Sequence, residues 1–465
     1  MFKKISLSFI INGYKKRGER HRIINRYLDL CPFLIFLIFI MSFKLKGGKY
    51  MLKKISFMFV FLLVTVGVLT ACGSSTNSDD KETISFLHWR GEDTDSFDEI
   101  IEDFEEENPD IEVDMQVYPS DEYETNLQSK LKGGETGDVF TMFPGSQFTA
   151  ITEAEFAENL EDEDFVDKFS SDYLERGQKD DKQYGLPLQL VFNDPIYNKT
   201  MFDEYGIEPP KDWEGFLDVL ETLKENGVEY PIVFPAADDG IGQFMNPMMM
   251  NNAPEEDIWE KVQEGERKVT EDWWVKTLSQ FEELNDKGYF GEENPLGISK
   301  DSAGTIFSQE KAGMLAMGSY MMAQIQETNP DLEMGLLAPI TVSEDDMEWE
   351  GIHTSTFLLG INSESDHKES AKKFIDFLTE SENSSKYADD TGQMLTIEDT
   401  EYESEIVVNQ EEWLDKDTRF NPSYTITNGD VQEAVEASIE DVLGGTSPEE
   451  AAEKTQQKID QEVDD

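Results

Sequence analysis

From Thr83 to Phe143 the hydrophobic pattern switches repeatedly between a period of two and a period of 3.6, which leaves few possible architectures. Thr83-Ile84-Ser85-Phe86-Leu87-His88-Trp89 is rich in strand formers and runs into a polar loop, Arg90-Gly91-Glu92-Asp93. Phe97, Ile100, Ile101 and Phe104 then fall at i, i+3, i+4 and i+7, one face of a helix that Asn108-Pro109 stops. Ile111, Val113, Met115 and Val117 alternate as a half-buried strand. Tyr123, Leu127 and Leu131 mark a second helix, closed by Gly133-Gly134. Asp138 to Phe143 is strand-like again, and Pro144-Gly145-Ser146 turns the chain. This β-α-β-α-β order implies an α/β fold with a largely parallel sheet and ligand contacts at the strand C-terminal ends. Residues 89–93 and 143–146 are therefore expected side by side.

A second α/β region follows Tyr184-Gly185-Leu186-Pro187. Phe216, Leu217, Leu220 and Leu223 lie on one helix, and Pro231-Ile232-Val233-Phe234 reads as a strand. Trp259, Trp273 and Trp274 are expected to pack helices. Phe357 to Ile361 returns as a strand, and Ala371, Phe374, Ile375 and Leu378 make another amphipathic face. Ser447-Pro448-Glu449-Glu450 is a capping box with Pro at the first helical position, so a last helix begins there.

The charge is distributed unevenly. Residues 1–71 hold 13 Lys+Arg and two acids; taken from 39 and 99 in the whole chain, they leave 26 basic and 97 acidic residues, a net of −71. Within the basic prefix, Met51-Leu52-Lys53-Lys54 precedes an apolar run from Ile55 to Val68 and then Leu69-Thr70-Ala71-Cys72. A positive start, an apolar core and small residues before the cut describe a signal peptide over 51–71. Leu-Thr-Ala-Cys resembles the bacterial lipobox, which implies diacylglycerol on Cys72, a membrane partner for the chain and a tether over 72–82. Residues 1–50, with a short apolar run from Phe33 to Met41, are superfluous to that arrangement. Met51 is the expected start and 1–50 a leader.

Several classes of function are excluded. The acidic balance disfavours a nucleic-acid binder, which needs clustered Lys and Arg. Thirty Phe, 15 Tyr and seven Trp are too many for a disordered acidic chain. Beyond Ala71 there remain one Cys and three His (His88, His353, His367), none in zincin spacing, so no metal or cofactor is expected.

The order of the landmarks resembles the family 1 extracellular solute-binding proteins of ABC importers, the group that includes maltose-binding protein. The matching pieces are Phe104-Glu-Glu-Glu-Asn-Pro-Asp-Ile-Glu-Val113, Gly137-Asp138-Val139, Tyr184-Gly-Leu-Pro187, Ile196-Tyr-Asn-Lys199, Pro210-Lys-Asp-Trp213, Gly313-Met-Leu-Ala-Met-Gly318, Ser370-Ala-Lys-Lys-Phe374 and Gly444-Gly-Thr-Ser-Pro-Glu-Glu-Ala451. The resemblance implies a two-lobe, periplasmic-binding-protein-like fold of type II, with a ligand cleft between hinge-connected lobes. Chain crossings are expected near 187–193, 353–357 and 391–395. One lobe would take 83–188 and 357–392, the other 189–356 and 393–465. The implied partners are a carbohydrate ligand and the permease subunits with their ATPase, and the protein is expected to act as a non-enzymatic monomer.

A sugar offers apolar ring faces and rims of hydroxyls, so its site pairs aromatic platforms with polar side chains. By position, Trp89, Arg90, Glu92 and Asp93 follow the first strand, and Phe143 stands at the next platform position. Gln189 lies at a crossing, Tyr320 takes the place of the family's frequent Gly-x-Trp aromatic, and Phe244 follows the Phe234 strand as a further platform. The excess of carboxylates fits a solvated surface in a salty exterior and disfavours an anionic ligand. Neutral oligosaccharide fits best; a polyamine or peptide, or a sensor using the same fold, stays open. The rival from another class is a secreted glycosidase, since 97 acids can hide a catalytic pair. No nucleophile elbow appears.

Overall fold

The computed structural model describes residues 81–463 apart from 134–136 and 238–239. The leader, signal peptide and lipobox readings, Cys72 included, fall outside the described residues. The first strand β1, Glu82–His88, lies between β2, Ile111–Val117, and β3, Val139–Met142, parallel to both. The helix Thr94–Glu107 buries Phe97, Ile100, Ile101 and Phe104, the expected face, and ends where the Asn108 N–H meets the Phe104 carbonyl at 2.8 Å. The helix Ser120–Gly133 buries Tyr123, Leu127 and Leu131. The Tyr123 hydroxyl lies 3.0 and 2.8 Å from the carbonyls of Leu87 and Thr141 and accepts the Thr141 N–H at 3.1 Å. It ties that helix to the ends of two strands at once.

The expectation of a largely parallel sheet holds for these three strands but not for most of the strands that join them. A small hairpin of β4, Gln178–Lys179, and β5, Lys182–Gln183, precedes β6, Leu186–Phe192. The chain then builds a second sheet in the order β10-β7-β9-β8: Met334–Leu336, Ile196–Asn198, Ala312–Leu315 and Tyr230–Val233. It returns through β11, Gly351–Ile361, which runs antiparallel to both β3 and β6. The right-handed helical crossover that enforces parallel pairing applies to successive βαβ units. β11 arrives from another sheet, so no such constraint acts on it. β12, Met394–Leu395, pairs with the far edge of β6, and β13, Thr418–Phe420, with the start of β11.

The molecule has two α/β lobes. Two apolar clusters draw on residues between 84 and 188 and between 357 and 397; two others draw on 190–352 and 394–459. Leu395 and Ile397 pack with the first lobe, although 393–465 were expected in the second. All four clusters lie within 84–459, so this part of the chain carries its own core. β12, β6 and β11 stand side by side where the lobes meet. Trp259, Trp273 and Trp274 pack edge to face or tilted at 5.1–5.5 Å inside the second lobe. The last helix, Pro448–Val463, begins as expected, with the Ser447 hydroxyl accepting the Glu450 N–H at 3.3 Å.

Candidate ligand-binding cleft

β1 ends in a residue that anchors the loop after it. His88 is fully buried, stacked on Phe86 and tilted against Phe97, each at 4.9 Å. Burial, with the Arg90 charge nearby, lowers its pKa to about 3, so the imidazole is neutral. Trp89, next in line, emerges at the strand's C-terminal end. Its indole stacks on Phe143 at 3.8 Å and meets the edges of Phe357 and Tyr123 at 4.9 and 5.2 Å. The two loops expected side by side are therefore in contact through their aromatic rings. Phe357 has φ of 55° at the point where β11 passes from one lobe to the other. A bulky residue in the left-handed region costs about 1–3 kcal/mol, and here it packs directly behind the Trp89 platform.

Arg90 is buried and makes a two-pronged pair with Asp93, its Nη2 donating to Oδ1 at 2.9 Å and its Nε to Oδ2. Burial works against the guanidinium charge, but Asp93 and Glu92 beside it more than compensate and raise its pKa. The Tyr387 hydroxyl donates to Asp93 Oδ2 at 2.6 Å, and Gln189 Nε2 donates to the Tyr387 hydroxyl at 2.6 Å. Asp93 thus stands behind Arg90 as its anchor and does not line the cavity. Glu92 does line it. Burial opposes the Glu92 carboxylate, yet Arg90 and Lys300 hold its pKa below the usual range.

These groups wall a cavity between the lobes. Trp89, Arg90, Glu92 and Phe143 come from the first lobe, and Gln189 from β6. Val191 and Asn193 share the β6 face of Gln189 by strand alternation, and Thr354 and Thr356 share a face of β11. The second lobe contributes Gln243, Lys300, Tyr320 and Tyr424. The Thr354 hydroxyl donates to Asn193 Oδ1, and Asn193 Nδ2 donates to Gln243 Oε1 at 2.6 Å. Lys300 Nζ lies 5.2 Å from the centre of the Tyr320 ring.

Phe244 requires correction. It is buried in the second lobe between Phe234 at 5.3 Å and Phe281 at 5.6 Å, away from the cleft. On the helix Gly240–Met249 one residue is a turn of about 100°. Phe244, Met245 and Met248 face the core, while Gln243 faces the cavity. Gln243, Asn193, Lys300, Thr354, Thr356 and Tyr424 were not among the sequence candidates. Strand alternation from Gln189 could have found Asn193, and the expected crossing at 353–357 could have found the threonines. Nothing local marks Lys300 or Tyr424.

The lobes also touch outside the cavity. Gly145, with φ of 88°, lies so close to the second lobe that a Cβ there would meet the carbonyl oxygens of Tyr424 and Ile426 at 2.8 and 3.1 Å. The Ser146 hydroxyl donates to Gln432 Oε1 at 3.0 Å, and the Arg176 guanidinium lies 3.7 Å over the Phe420 ring.

A family model described as bacterial extracellular solute-binding protein matches residues 90–385. The chain is 26% identical over 362 residues to the multiple sugar-binding protein of Streptococcus mutans, covering 74% of this chain and 83% of that protein. It is 24% identical to the melibiose/raffinose/stachyose-binding protein MelE of Bacillus subtilis, covering 71% and 79%. Among solved structures, a sugar transporter from Bacillus licheniformis in complex with stachyose superposes with a TM-score of 0.69 at 21% identity, over 81% of this chain and 98% of that one. The solute-binding protein RafE in complex with raffinose gives 0.70 at 19%, over 82% and 99%.

Proposed function

Since the chain belongs to the bacterial extracellular solute-binding proteins, we propose that it captures a neutral oligosaccharide between its lobes and presents it to the permease of an ABC importer. The observation that carries the reading is the cavity lining. Aromatic rings stand beside amides and hydroxyls from both lobes, and the ionised groups Arg90, Asp93, Glu92 and Lys300 offset one another. Such a lining matches ring faces and hydroxyl rims. With these charges offset, the centre favours neither a polycation nor an anion. A relative named for melibiose, raffinose and stachyose supports the same class.

A hydrolase finds no support. Among the described residues, Glu92 is the one carboxylate lining the central cavity, and its lowered pKa is the reverse of what a general acid needs. The relatives are binding proteins. Attachment through diacylglycerol on Cys72, read from the lipobox and the signal peptide over 51–71, completes the proposal.

The test is thermal unfolding of the chain from residue 73 onward against mono- and oligosaccharides, polyamines and peptides. A ligand at about 100 times its Kd adds about 2.7 kcal/mol, a shift of a few degrees at this size. A carbohydrate response with unchanged ligand supports the reading. A response confined to polyamines or peptides, or the appearance of a cleaved product, overturns it.

A further inference from the structure

We propose that the cleft is a groove open at both ends, which grips an internal stretch of an oligosaccharide and lets both chain ends project. The inference rests on the carbohydrate reading above and adds how the chain lies. Ser120 lines the central cavity and also two flanking ones. On one side Phe143, Gln243 and Tyr424 continue into a space that Gln147 and Gln432 help to wall. On the other, Trp89, Glu92 and Lys300 continue into a space bordered by Tyr118 and Gln324. Residues from both lobes wall each flank, so the three spaces form one trench along the junction of the lobes. The Trp89–Phe143 stack stands across its middle, Trp89 bordering one flank and Phe143 the other.

A second observation places ligand-seeking groups in more than one chamber. Thr356 Oγ1 in the centre and Gln147 Nε2 in the flank are buried and have no hydrogen-bond partner among the described residues. Gln147 is 1% exposed, and its Oε1 accepts the Phe143 N–H at 2.6 Å, which fixes the amide so that its NH2 is the group left over. Most buried polar groups in folded proteins are paired, and in the proposed groove hydroxyls of successive sugar rings pair with both. A single ring in the central chamber would leave Gln147 unserved.

The test is calorimetric titration of the chain from residue 73 with xylo-, malto-, chito- and raffinose-series sugars of one to six rings. The same sugars carrying 2-aminobenzamide at the reducing end are run in parallel. In the series that responds, affinity should rise by about tenfold or more between two and four rings, and the end label should cost less than about threefold. Affinity already level at one ring, or a loss of about a hundredfold from the label, would mean a closed pocket and overturn the groove while leaving the carbohydrate reading intact. Silence across all the sugars would overturn both. Gln147→Glu keeps the acceptor for Phe143 and removes the donor, and Gln324→Ala trims the opposite flank. Each should weaken four-ring binding by about tenfold and move the length at which affinity levels off one ring shorter. An unchanged length dependence in Gln324→Ala, the exposed and structurally safe site, would contradict the groove even if the other variant fails to fold.

Discussion

At the residue scale the cleft depends on groups that never touch its contents. Asp93 and Tyr387 fix Arg90, and His88 packs at the root of the loop that carries Trp89. Because the folded His88 pKa is depressed to about 3, an unfolded chain takes up a proton near pH 6.5 that the folded chain refuses. Stability on this account is complete above about pH 6.5 and falls by up to about 1.4 kcal/mol per pH unit below it, down towards pH 3. His353, lowered to about 4 mainly by burial, adds in the same direction. His88→Phe, which keeps the ring stack, should make the loss shallower, as read from urea midpoints at pH 7 and pH 5. An identical slope in the variant would show that His88 is not its source. Trp89→Ala removes the platform itself and should cost roughly 2 kcal/mol of binding, about 30-fold in Kd by calorimetry.

At the scale of elements, three neighbouring strands, β12, β6 and β11, stand where the lobes meet, and the turn at Gly145 touches the second lobe. Gly145→Ala brings a Cβ against two backbone oxygens and forces a left-handed φ on a residue that resists it. The lobes should then be held apart, with an affinity loss of about tenfold or more and a larger radius of gyration in solution scattering of the ligand-loaded protein. These elements differ in how far the sequence announced them. The first three strands and their helices were legible because Phe97–Ile100–Ile101–Phe104 and Ile111–Val113 carry unmixed periods. The antiparallel course of β11 was not, since pairing direction depends on where a strand arrives from and leaves no local mark. In the site, position alone placed Trp89, Arg90 and Glu92 at the cavity, while Asp93 lies behind it and Phe244 was misplaced by one helical step from Gln243. Lys300 and Tyr424 reach the cavity only through the packing of distant segments.

At the scale of the whole molecule the charge stands out. From Cys72 onward 97 acids face 26 bases, and runs such as Glu105-Glu106-Glu107 lie on the partly or fully exposed side of their helix. Repulsion among them should weaken as the screening length shrinks from about 10 Å at 0.1 M salt to about 3 Å at 1 M. The thermal midpoint should therefore rise by several degrees over that range, and a flat response would mean that the carboxylates are already compensated locally. The central claim concerns what the two lobes hold. Its most direct test is a crystal structure of the chain from residue 73 with a neutral oligosaccharide that stabilises it. The sugar should lie between the lobes, with a ring against the Trp89–Phe143 stack and hydrogen bonds both to the Arg90 or Thr356 side and to Gln243 or Tyr424. A sugar seated on one lobe alone, for instance in the surface groove near Arg267 and Lys276, would contradict it.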